Sequence, residues 1–394
     1  MTGSSGKAAL SVSDIAIPVT VQNLTLTGGY NFSGAGLNVG RSAWVYLDTV
    51  TVTENETNAA GDTTARNGGG ILNEGTLTLE DCQITKNTSS NYGGGVFNQG
   101  NLFIYGSTVI GGENNGNTAE KSGGGIDNDT SGCLYIGYNV PSEGNDPLSN
   151  PTAFTGSISY NTATSTAGGG IYNQGIMRMA SGSVNNNNAP EGAGLYNTVG
   201  DNAHGDCIIT GGAISNNEAT NGNGGGIWNN GTLSVSGTFD GNTASGSGGA
   251  VYSASSVTID SATFTSNTAT GGSGGAIYCA GAVTVSGEST ISNNEALNAG
   301  GGVYIGGTDS TLTSSTITGN SAKSGGGVYI ASGAIVTATS TTIGKSGGAN
   351  TAVTGGGVYN YGGNFNMSNG LIDANRADME GSGVYQPSDN RSVF

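Results

Sequence analysis

Charge is scarce in this chain of 394 residues, and positive charge scarcer still: Lys and Arg together number 10 against 27 Asp and Glu, for a formal net charge of −17. Nucleic acid and anionic membranes bind to basic surfaces, so neither is expected as a partner. No apolar run approaches the roughly 20 residues that a helix needs to cross a bilayer, and direct membrane insertion is not expected. Proline is rare at 6, histidine occurs once, and the four cysteines (Cys82, Cys133, Cys207, Cys279) lack any metal-binding spacing. These cysteines read as structural thiols, and no metal or cofactor is expected from them. Helical periodicity is missing throughout, and the glycine runs lack the Lys-Ser/Thr and following helix of a phosphate loop. A charged-then-apolar signal is missing at the start, where "MTGSSGK" reads as a cut within a longer chain; export is expected to be directed from outside this sequence.

Glycine, by contrast, is abundant at 75 residues, and it comes in clusters separated by alternating aliphatic residues, the pattern of strands with one buried face. Thirteen times a small-residue cluster runs into one aliphatic residue: Leu37, Ile71, Val96, Ile126, Ile171, Leu195, Ile227, Val251, Ile277, Val303, Val328, Val358 and Val384. The shortest interval is 24 residues and the longest 45, a period with a floor and occasional insertions, as in a solenoid. Each interval holds three short runs, as in Ile71-Leu72-Asn73, then Leu77-Thr78-Leu79, then Ile84 with Asn87 three residues on. Runs this short bury their inward residues only by stacking on the same run of the next coil. The expected fold is therefore an all-β, single-stranded, right-handed parallel β-helix spanning 1–394 as one domain, with about thirteen coils of three short strands. Insertions fall near 138–154 and 198–206. The glycines before each first strand and the Asn after each third are expected at sharp left-handed turns.

At Gly248-Gly249-Ala250-Val251, Gly274-Gly275-Ala276-Ile277, Phe239-Asp240-Gly241-Asn242 and Phe264-Thr265-Ser266-Asn267 the sequence resembles the chlamydial polymorphic outer-membrane proteins, whose passengers repeat GGA(I/L/V) and FxxN. Other coils carry GGG and IxxN variants, also similar to those of large bacterial and archaeal adhesin-like proteins. The resemblance implies a right-handed β-helix displayed on a surface and used in adhesion. It reaches function only indirectly, since one fold hosts many functions.

Alternation points the residue after each landmark outward and the next one inward. The inward row holds Asn73, Asn98, Asn128, Asn173, Asn197, Asn229 and Asn360, amides that can bond from coil to coil. The outward row is Asn38, Leu72, Phe97, Asp127, Tyr172, Tyr196, Trp228, Tyr252, Tyr278, Tyr304, Tyr329, Tyr359 and Tyr385. Its aromatic density in a chain that is 7% aromatic marks it as a stacked file enforcing register, a binding stripe, or both. The candidate ligand-binding residues are those from Tyr172 to Tyr385, with a glycan or a cell-surface protein as partner.

A polysaccharide-degrading enzyme would need two acid–base groups converging on one face. The best such set is Asp127, Arg178, Asp201, His204 and Asp206, the last three in or beside the insertion "TVGDNAHGD". Glu143 and Asp146 of the longer insertion are the candidates for Ca²⁺, although the dense spacing of a dedicated loop is lacking. Three readings follow: a secreted or surface-displayed, non-catalytic adhesin or stalk; a glycan-cleaving lyase or glycosidase; and a filament subunit associating end to end.

Overall fold

The computed structural model describes residues 6–13, 15, 17–57, 66–140, 151–200 and 205–387, and among these every regular element is a β-strand. The chain divides into two compact units, Met1–Ala213 and Ile214–Phe394. Each is a parallel β-solenoid, and together they count about fourteen turns on three sheets.

In the first unit the opening strand of each coil runs Leu10–Val12, Leu37–Val39, Ile71–Asn73, Val96–Asn98, Ile126–Asn128, Ile171–Asn173 and Leu195–Asn197, every neighbour pair parallel and in direct register. In the second unit it runs Ile227–Asn229, Val251–Ser253, Ile277–Cys279, Val303–Ile305, Val328–Ile330, Val358–Asn360 and Val384–Tyr385. Twelve of the thirteen aliphatic landmarks are fully buried, and Val384 is half-buried. The turn at Leu10 is additional to the thirteen; it follows Lys7-Ala8-Ala9 and so carries no glycine signal.

The three sides are divided differently from the three runs of the sequence. The second and third runs share one sheet: in one coil they are Thr76–Glu80 and Gln83–Thr85, parted by Asp81 at φ 51°. In the second unit they fuse into nine-residue strands, Thr232–Asp240 and Val257–Thr265. The third side is mostly two-residue strands such as Thr88–Ser89 and Thr268–Ala269, too short to show alternation, with longer ones only from Ser321–Ser324 onward.

The glycine pair of the GGA motif divides its labour. Gly248 sits at φ 68°, in the left-handed region where a side chain is strained. Gly249 is needed for space, because a Cβ there would lie 2.2 Å from the carbonyl oxygen of Gly275 in the next coil.

The Asn of the FxxN motif corrects one expectation. It is not the left-handed residue; that conformation falls on the residue before it, as at Lys86, Tyr160, Asn216, Ser266 and Asn293, with φ of 52–57°. The Asn itself turns inward and is buried, and stacked coils join these amides into files. In the first unit Asn55, Asn87, Asn117, Asn161 and Asn187 pass Nδ2–Oδ1 bonds of 2.9–3.1 Å from one to the next. In the second unit Asn217, Asn242, Asn267, Asn294, Asn320, Asn350 and Asn375 do so at 2.9–3.0 Å.

Asn267 shows why no other side chain serves. Its Nδ2 donates to the Phe239 carbonyl and to Asn294 Oδ1, each at 2.9 Å, while its Oδ1 accepts from the backbone N and the Nδ2 of Asn242. Both donors and both acceptor positions are used, which Asp lacks the hydrogens to do. The inward Asn of the first strands also stack as expected, Asn73, Asn98, Asn128, Asn173 and Asn197 being linked at 2.7 Å. In the second unit this row is mixed: Asn229 donates to Ser253 Oγ at 2.9 Å, and Asn360 bonds to its own turn at Gly363.

Candidate functional site: a file of rings and a pocket at Asp127

In the second unit the outward residues of the first strands form a file of seven rings, Trp228, Tyr252, Tyr278, Tyr304, Tyr329, Tyr359 and Tyr385. Successive centroids lie 4.4–6.1 Å apart, and the planes are within 20° of parallel except at Tyr385, tilted by 52°. Tyr361 packs against the file at 6.4 Å from both Tyr329 and Tyr359. In the first unit Tyr172 and Tyr196 stack at 5.2 Å and 5°. Strands at their normal separation of ~4.8 Å place one ring over the next, so the direct register and the stacking are the same fact.

All nine rings proposed from the sequence are half-buried. Their faces are turned to each other, as in the stacked file expected from the sequence, so the file offers ring edges and a line of hydroxyls. Burial pushes the phenols of Tyr172, Tyr278, Tyr329 and Tyr359 up and that of Tyr196 up to about 12, so these hydroxyls stay protonated at neutral pH and can donate or accept.

The residues weighed for catalysis are not gathered into one site among the described residues. Arg178 and Asp206 do meet: the guanidinium pairs with the carboxylate and donates to the Asp206 carbonyl at 3.1 Å. They lie on the sheet of second strands, Arg178 in register with Tyr135, whereas Asp127 lies on the sheet of first strands. Asp201 and His204, and the Ca²⁺ candidates Glu143 and Asp146, lie outside the described residues. The thiols Cys82, Cys207 and Cys279 are buried and unbridged, and desolvation pushes each up to about 12, so they are unreactive.

Asp127 occupies an outward position yet is only 3% exposed. It stands in the aromatic row between Phe97 and Tyr172, and where a ring is missing a cavity of about 370 Å³ opens. Residues of three rows, drawn from four successive coils, line it. Before the glycines lie Asn67, Tyr92 and Ser122; in the outward row lie Phe97, Asp127 and Tyr172; beyond the first strands lie Gln99, Asp129 and Gln174. Ser122 Oγ donates to Asp127 Oδ2 at 2.7 Å, Gln99 Nε2 donates to Asp129 Oδ2 at 2.7 Å, and Tyr92 packs on Phe97 at 6.4 Å. Burial raises the Asp127 carboxyl well above the usual range; the Ser122 hydrogen bond opposes the rise and Asp129 adds to it. The signal in the sequence was one acid in a row of rings, and the neighbouring rows that complete the pocket carried no periodic mark.

Fold and surface together define a parallel β-solenoid that displays an axial file of aromatic side chains. Residues 236–254 and 261–280 match the model of the Chlamydia polymorphic membrane protein repeat, and these two stretches contain the GGA(V/I) and FxxN tetrapeptides of the second unit. No curated protein and no solved structure matches the chain.

Proposed function

We propose that the protein is a surface-displayed, adhesin-like β-solenoid without catalysis of its own, working outside the cell, and that the ring file of the second unit is its contact surface for a glycan. The repeat match supports surface display, because the matched repeat is that of a polymorphic membrane protein family. The observation that carries the reading is the line of Tyr hydroxyls set one strand apart from Tyr252 to Tyr359. An extended peptide laid along it repeats every ~3.3 Å and presents alternate faces, out of step with rings 4.4–5.2 Å apart. A glycan, rich in hydroxyls that both donate and accept, is the better partner for such a line.

Glycan-array binding of the wild type and of Tyr278→Phe and Tyr304→Phe tests this. Phe keeps the stack and removes the hydroxyl, so binding should fall about tenfold in the double variant with an unchanged melting temperature. No binding to any glycan, or full binding by the double variant, overturns it.

A further inference from the structure

The pocket at Asp127 stands apart from the ring file and calls for a different ligand. Asp127 is nine-tenths buried, one oxygen is held by Ser122, and the other, which lines the cavity, has no hydrogen-bond partner among the described residues. A second carboxylate, Asp129, lines the same cavity, and no Lys or Arg does. A buried carboxylate such as that of Asp127 is costly without a counter-charge, and a cation relieves the cost.

The shape narrows the choice of cation. The strands carrying Phe97 and Tyr172 flank that of Asp127, so they are two strand spacings apart, about 9.6 Å. Van der Waals contact on two faces takes up about 7–8 Å, leaving room for one flat layer. A guanidinium is flat, stacks on aromatic faces and pairs with a carboxylate through two N–H groups; an ammonium does only the last, as a point charge.

The same unit sets an arginine and a carboxylate beside two rings elsewhere. On the sheet of second strands Phe103 and Tyr135 stack at 4.8 Å and 11°, the next residue in register is Arg178, and its guanidinium is held by Asp206. There an arginine follows two stacked rings in register, and a carboxylate holds its guanidinium. At Asp127 two rings and two carboxylates line one cavity. We propose that the slot between Phe97 and Tyr172 is a binding site for a guanidinium group, brought in by an arginine side chain of a partner or by a free alkylguanidine.

The experiment is an NMR titration of the full chain with N-ethylguanidinium, with ethylurea as its flat uncharged counterpart, and with n-butylammonium. The guanidinium should bind saturably, ethylurea should not, and n-butylammonium should bind more weakly. Asp127→Asn, which keeps the size of the side chain, should weaken guanidinium binding by about tenfold or more, and Asp129→Asn by less. Retained stability of both variants is checked by thermal melting, and Trp228→Ala, in the other unit, should leave the titration unchanged whatever its effect on glycan binding. A blocked Gly-Arg-Gly peptide separates the sources: binding at least as tight as that of N-ethylguanidinium points to a partner's arginine, and weaker binding to a free alkylguanidine. Equal binding of ethylurea, binding of a methyl glycoside in its place, unchanged affinity in Asp127→Asn, or no saturable binding of N-ethylguanidinium overturns the proposal.

Discussion

A buried acid in a row of rings has a measurable signature. The Asp127 carboxyl keeps its proton in the folded chain to a higher pH than in the unfolded one, because burial disfavours the anion and Asp129 repels it. The native state therefore binds more protons than the unfolded state above about pH 4, and stability falls as pH rises from there towards the folded value. Asp127→Asn lacks this titration. The urea midpoint of the wild type should thus decline relative to that of Asp127→Asn between about pH 4 and neutrality, and parallel pH profiles for the two proteins would rule the assignment out. At this scale the sequence was readable in part. The outward row was legible because alternation fixes which way a strand residue points. The burial of Asp127 was not, since the rows that complete the pocket around it carry no repeated motif.

Single strands here are only two to nine residues long, and what fixes them is the approach of neighbouring coils. Gly275 is one such case: an added Cβ would lie 2.3 Å from the Gly301 carbonyl oxygen and 2.6 Å from the backbone of Glu295, atoms that cannot turn aside. Gly275→Ala should lower stability by about 3 kcal/mol, read from urea denaturation. Gly333→Ala, where nothing lies within 4 Å and only φ 80° is unfavourable, should cost about 1 kcal/mol. The first strands were legible from their glycine clusters and landmarks. The FxxN Asn was legible as a recurring position and misread as a turn, because Asn suits both a left-handed turn and an amide file; the neighbours Phe239, Asn242 and Asn294 decide between them only in three dimensions. The two-residue strands of the third side offered no period to read.

In a stacked-coil protein each turn answers mainly to the turns beside it. Asn267→Leu removes the acceptor for two Asn242 donors and the donor to the Phe239 carbonyl, all in a dry interior. The loss should reach about 3 kcal/mol or more. Hydrogen exchange should quicken first in the strands around Thr243–Ala244 and Glu295–Ala296, while Val358–Asn360 in the same unit stays protected. Uniform deprotection of the second unit would show instead that its coils melt as one. Fold class was legible at this scale because a period repeated many times outweighs the ambiguity of any one segment.

Within each file of FxxN-type amides the links point one way: each Asn but the last hands one Nδ2 hydrogen to the Asn that follows it in the chain. Aligned dipoles of this kind polarise one another, so a file acquires a head and a tail. A coil is then interchangeable only as a whole, cut from one Asn to the next. Excising 268–294 would butt Asn267 against the segment that leads to Asn320 and let the file close again, whereas a cut of half that length would leave an amide facing a hydrocarbon wall. Evolution by duplication of entire turns, with growth allowed only in the loops between them, is what such a polarised spine permits.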